Sequence, residues 1–141
     1  MKTIAYIQQE IIDEFALFDD WVQRYEYMIE LGKSLSIIDK KHRTDSNIIK
    51  GCQSKVWVYA ELKKDKLIYT ADSDAIITKG IIALLLRVFS EQHPSDILAA
   101  DTSFIDEIGL KEHLSPTRAN GLLSMIKQLK MYAIAYQTQL N

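Results

Sequence analysis

The apolar residues at the start of the chain recur every three or four positions: Ile4, Ile7, Ile11 and Phe15. That is the helical period, and it predicts a helix over residues 3–17, with Thr3 capping its first turn. Asp19 and Asp20 then offer a new N-terminal cap and a charge that suits the helix dipole. The second helix runs to about Leu31, with Trp21, Tyr25, Met28 and Leu31 on or near one face. Gly32 reads as its C-terminal stop. These two helices read as an antiparallel pair. Residues 33–47 lose the period and end in the polar loop "DKKHRTDSN".

From Ile48 the pattern turns to β. Val56, Trp57, Val58 and Tyr59 favour a pleated strand, "KKDK" at 63–66 a turn, and Leu67 to Ala71 a second strand. A lone hairpin is marginal in water, so helices must cover one of its faces. Asp72, Ser73 and Asp74 read as caps before an almost wholly apolar helix over residues 75–91. Gly80 inside that helix costs about 1 kcal/mol against Ala, which a close-packed neighbour, the sheet for instance, would explain. Pro94 opens a short helix through Ala99, and Phe104 to Ile108 reads as a helical turn ended by Gly109. Ser115 caps the last helix and Pro116 takes its first position. Leu122, Met125, Ile126, Leu129, Tyr132 and Ala133 give that helix an apolar stripe. Helices, hairpin, helices is an α+β order rather than alternating βαβ.

Composition narrows the function more than the fold. The 141 residues suit a single domain, residues 1–141, with ordinary globular make-up. The formal net charge is −2 and the basic residues are scattered, which argues against a nucleic-acid surface. The longest apolar run, Ile81 to Leu86, is too short to span a membrane, and "MKTIAYIQQEIIDEF" lacks the unbroken apolar core of a signal peptide. One cysteine excludes an internal disulfide and points to a reducing, cytoplasmic setting.

That cysteine, Cys52, is the leading candidate for chemistry. It follows Gly51, which permits unusual backbone angles, and Lys50 and Lys55 are placed to favour a thiolate. The bland reading is a buried thiol packing as a small hydrophobe. A cysteine hydrolase would need a histidine within reach, His42 or His113 for example. His42, His93 and His113 lie in no motif, and each also reads as a surface or capping residue. One cysteine and three dispersed histidines make a poor zinc site, and no phosphate-binding glycine motif occurs. Asp72-Ser73-Asp74 is explained by capping. Arg118, in the first turn of the last helix, suits the dipole badly, which points to an acidic partner such as Asp74 or a docking protein.

Three segments taken together resemble the SufE family of sulfur-acceptor proteins: "GCQSKVW" at 51–57, "ADSDAIITKGIIALLL" at 71–86 and "HLSPTRANGLLSMI" at 113–126. "WVQRYEYMIELGKSL" at 21–35 and "NIIKGC" at 47–52 fit the same pattern, so the likeness runs from about Trp21 to Tyr132. G-C-Q-S-x-V-W followed by A-D-S-D-A at this spacing is specific. The resemblance implies an α+β fold in which a small antiparallel sheet packs against helices, related to the IscU/NifU scaffold fold. It implies a protein that activates a PLP-dependent cysteine desulfurase of the SufS or CsdA type. Sulfur would be carried as a persulfide on Cys52 and passed to an iron–sulfur scaffold such as SufBCD. The chain itself would need no cofactor or metal and would have no independent turnover. By the same likeness Gln53 and Ser54 would hold the loop through hydrogen bonds. Gly51, Asp74 and Arg118 would support the loop or dock the partner, and His113 is either part of this or structural. The segment 99–112, "AADTSFIDEIGLKE", carries little specific signal. The rivals from other classes are a hydrolase using His42 or His113, and a scaffold with an inert cysteine.

Overall fold

The computed structural model describes residues 2–140. Helix α1 spans Ile4–Ala16, and the Thr3 hydroxyl accepts the Tyr6 N–H at 3.1 Å. Its spaced apolar residues, Ile4, Ile7, Ile11 and Phe15, are the ones it buries. Helix α2 spans Trp21–Lys33, capped by the Asp20 carboxylate on the Gln23 N–H at 2.9 Å. Gly32 therefore lies inside α2 and does not stop it. Its role is tertiary. Helix α3, Ile76–Phe89, crosses here: a Cβ on Gly32 would meet the Gly80 nitrogen at 3.2 Å, and one on Gly80 would meet the Met28 carbonyl oxygen at 2.4 Å. The close neighbour that explains Gly80 is α2, not the sheet. The intimate helix pair is accordingly α2–α3. α2 meets α1 chiefly through side chains, with the Phe15 and Tyr27 rings edge to face at 5.5 Å.

Strands β1, Val56–Lys63, and β2, Lys66–Ser73, pair antiparallel from Val56 with Ser73 to Lys63 with Lys66. The sheet has these two strands, and short segments extend it. Ile37 bridges Ala71 in parallel, Gln92 bridges Leu67, and Ile48 bridges Trp57. The stretch 33–47 is thus partly ordered by pairing, and it holds two short 3-10 turns, Lys40–His42 and Asp45–Asn47. Alternation decides the faces. Val56, Val58 and Ala60 of β1 and Leu67, Tyr69 and Ala71 of β2 join the core with α3. On the opposite face His42 stacks on Tyr59 and the Arg43 guanidinium lies 4.2 Å from the Trp57 ring centre.

The sequence expectation for Asp72, Ser73 and Asp74 needs correcting. Asp72 and Ser73 end β2, and α3 begins without a side-chain cap. Asp72 is buried and pairs with Arg43 at 3.1 Å and Lys79 at 3.4 Å, partners that offset the cost of taking its side chain out of water.

The short helices α4, Pro94–Ala99, α5, Phe104–Glu107, and α6, Leu110–His113, lead into α7, Pro116–Leu140. Ser115 caps α7 through the Arg118 N–H at 3.2 Å, as its sequence implied. α7 crosses the whole molecule. Its Tyr132 and Tyr136 hydroxyls donate to the Val58 and Ala60 carbonyls at 3.1 and 2.9 Å, which covers the free edge of β1. At the other end, α7 forms one wall of the site.

Candidate functional site

Cys52 sits in a loop whose two ends are tied. The Ile49 N–H donates to the Val56 carbonyl at 2.8 Å, closing the neck. At the far end, Lys55 is held by Ser73, the last residue of β2, and by Asp74 just beyond it. Its N–H donates to the Asp74 carboxylate at 3.1 Å, and its carbonyl accepts the Ser73 hydroxyl at 2.8 Å. Between these ties the chain turns at Gly51, with φ +94°, a left-handed region that side chains disfavour. Gly51 also packs on α7, where a Cβ would stand 2.4 Å from the Ser124 hydroxyl oxygen. The turn delivers Cys52 against Gly121, where α7 has no side chain. The thiol donates to the Gly121 carbonyl at 3.6 Å.

Beside the half-buried thiol is a cavity of about 60 Å³, walled by Thr78 and Ile81 of α3 and by Arg118, Gly121 and Met125 of α7. Burial pushes the Cys52 thiol above its ordinary value. No basic side chain offsets this, so Lys50 and Lys55 do not activate it as the sequence suggested. At rest the group is a protonated thiol that donates to a carbonyl. It is not a primed nucleophile.

The structure gathers most of the residues singled out by sequence. Gln53, Ser54 and Arg118 line the same cavity as Cys52. Gln53 and Ser54 make no side-chain hydrogen bond among the described residues, so they do not hold the loop in the expected way. Asp74 meets the loop at its far end, where its carboxylate accepts the Lys55 N–H. Arg118 pairs with neither Asp74 nor any other carboxylate among the described residues, which leaves its guanidinium free at the cavity rim.

The histidines are elsewhere. His42 stacks on Tyr59 at 3.6 Å, His113 on Trp21 at 3.9 Å, and His93 bonds Ser95. None lines the cavity, so Cys52 has no histidine base. Among the described residues no group of His, Cys, Asp or Glu side chains is arranged to hold a metal ion, and no helix is long and apolar enough to cross a membrane.

Thr78, Gly121 and Ser124 escaped the sequence reading. Their one local signal is small or polar side chains interrupting apolar stretches, which by itself does not distinguish a site from a packing contact.

Residues 9–133 match the SufE family, described as an Fe-S metabolism associated domain. The chain belongs to the SufE family. An uncharacterized SufE-like protein of Rhizobium meliloti is 43% identical over 129 residues, covering 88% of this chain and 92% of that one. A SufE-like protein of Synechocystis is 34% identical over 128 residues, covering 91% and 80%. In Arabidopsis thaliana, SufE-like protein 1, chloroplastic/mitochondrial, is 37% identical over 127 residues; these are 89% of this chain but 34% of that longer protein. The solution structure of a hypothetical protein from Thermus thermophilus overlays with a TM-score of 0.79, covering 94% of this chain and 96% of its own at 18% identity. That likeness establishes the shared α+β fold.

Proposed function

We propose that this SufE-family protein accepts sulfur on Cys52 from a PLP-dependent cysteine desulfurase of the SufS or CsdA type. It increases that enzyme's turnover and delivers the sulfur to an iron–sulfur scaffold of the SufBCD type. One observation carries the reading: the only cysteine of the chain lies on a tied, glycine-hinged loop, half-buried at a small cavity with no base beside it. A hydrolase would need a base at that thiol. A carrier needs a thiol that is quiet alone and reactive in company.

The resting geometry suits the quiet half. A protonated thiol under a loop reacts slowly with oxidants and stray thiols. Docking on a desulfurase lifts the loop and lets the thiol ionise in a more polar setting. The Cys52 thiolate then attacks the outer sulfur of the desulfurase's cysteine persulfide. A new S–S bond forms to Cys52, the donor's S–S bond breaks, and the donor cysteine leaves as thiolate with that electron pair. The thiol proton passes to the leaving sulfur or to water. No external oxidant or reductant is consumed, as in thiol–disulfide exchange. The setting this chemistry asks for is a reducing one, which we take to be the cytoplasm, and the chain has no turnover of its own.

The test mixes the protein with a desulfurase, cysteine and reductant, and reads sulfide release and the mass of Cys52. The expected result is faster sulfide release and added mass in units of sulfur, both absent in Cys52→Ser, which still folds. No acceleration and no added mass would end the proposal. Ester or amide hydrolysis by the protein alone would favour the hydrolase.

A further inference from the structure

Thr78 stands on α3 in the wall of the Cys52 cavity with only 6% of its surface exposed. A threonine in a helix commonly bonds its hydroxyl to a carbonyl three or four residues back, or caps the helix start. Thr78 does neither, and its hydroxyl has no partner among the described residues. The hydroxyl is therefore uncommitted to the protein, in a residue that is otherwise almost wholly packed away. Valine has the same shape without a hydroxyl, so threonine gives this cavity wall a free donor for whatever occupies the cavity.

The unloaded thiol does not need it, because its proton already goes to the Gly121 carbonyl. The sulfur-loaded form does. A persulfide is more acidic than a thiol, so its outer sulfur is an anion at neutral pH, and the Gly121 carbonyl, an acceptor, cannot stabilise it. The cavity of about 60 Å³ is several times the roughly 10–15 Å³ that admits one water on the same measure, so it has room for one added sulfur atom. The other polar side chains of the wall, Gln53, Ser54, Thr117 and Arg118, are all more exposed than Thr78.

We infer that Thr78 is the hydrogen-bond donor for the outer sulfur of a Cys52 persulfide, holding the loaded form in the cavity and slowing its loss. This rests on the reading of Cys52 as a sulfur carrier.

The test loads the protein with inorganic polysulfide, which requires no desulfurase. The Cys52 thiolate takes the terminal sulfur, and a polysulfide one sulfur shorter leaves with the electron pair. Excess reagent is removed and cyanide is added; it takes the outer sulfur as thiocyanate and returns Cys52 as thiolate. Wild type, Thr78→Val and Thr78→Ser are compared by thiocyanate release, and the unloaded proteins by iodoacetamide alkylation. Thr78→Val is expected to lose its sulfur about tenfold faster, the scale of one hydrogen bond to a charged group. Thr78→Ser stays within about twofold of wild type. Alkylation of unloaded Cys52 is the same in all three, and Thr78→Val melts at or above the wild-type temperature. Equal sulfur loss in Thr78→Val overturns the inference. So does an equal acceleration of loaded and unloaded Cys52, which would mean a packing role, and so does failure of serine to substitute. A desulfurase that donates no sulfur overturns the carrier reading instead, and the polysulfide experiment tells the two failures apart.

Discussion

Replacing Gly51 with alanine probes how the Cys52 loop is kept closed. At φ +94° a residue with a Cβ carries backbone strain of about 1–3 kcal/mol. The new Cβ also stands 2.4 Å from the Ser124 hydroxyl oxygen and 3.3 Å from its Cβ. The serine side chain can rotate away from the first contact, so backbone strain is the larger part. Taking about 1.5 kcal/mol in all, and 1.4 kcal/mol per factor of ten, the open form becomes about tenfold more populated. The ties at Ile49 and Lys55 lie outside the substitution, so the opening is local and the melting temperature changes little. The assay is iodoacetamide alkylation of Cys52 under native conditions, followed by mass. Gly51→Ala is expected to react about tenfold faster than wild type. Adding Ser124→Ala is expected to recover only a small part of the difference. An unchanged or slower rate would refute the reasoning, because it would mean that the thiol reacts without the loop moving or that Gly51 does not hold the loop. Full recovery by Ser124→Ala would assign the effect to the clash and not to the backbone.

Two other outcomes follow from the same structure. The Cys52 thiol is raised by burial, so the closed loop favours its protonated form. The share of protection from alkylation that this preference supplies, read in the ratio of denatured to native rates, is therefore fully present below the unfolded thiol's pKa. It is lost as the pH rises through the higher folded value; protection that grows with pH would contradict this. Gly80→Ala should gain about 1 kcal/mol of helix propensity. It should lose about 3 kcal/mol, because its Cβ meets the backbone of Met28, which cannot rotate away. A net loss of about 2 kcal/mol in urea unfolding is expected, and a stabilised variant would show that α2 and α3 do not approach so closely.

Legibility of the fold and the site in the sequence tracks distance along the chain. Ile4, Ile7, Ile11 and Phe15 announce α1 because a helix face repeats within one turn, and Thr3, Asp20 and Ser115 announce helix starts because a cap reaches only two or three residues. The hairpin is equally local: its turn and register lie within one short stretch. Gly32 and Asp72 mislead because their local roles, stop and cap, are the common ones. Their actual partners, Gly80 and the pair Arg43 and Lys79, include residues far along the chain.

The same division runs through the site. The stretch around Cys52 marks the thiol and its hinge without help from the rest of the chain, because a specific motif and a glycine are both readable within a few residues. The sequence by itself therefore determined which atom is the candidate for chemistry and the α+β order around it. Whether that atom is proton-bearing or ionised, and what surrounds it, was decided only in three dimensions. The Gly121 carbonyl that accepts its hydrogen bond is 69 residues away, and most of the cavity wall beside it comes from two helices, α3 and α7. Ionisation follows the local dielectric and nearby charges, and the path of the folded backbone sets both.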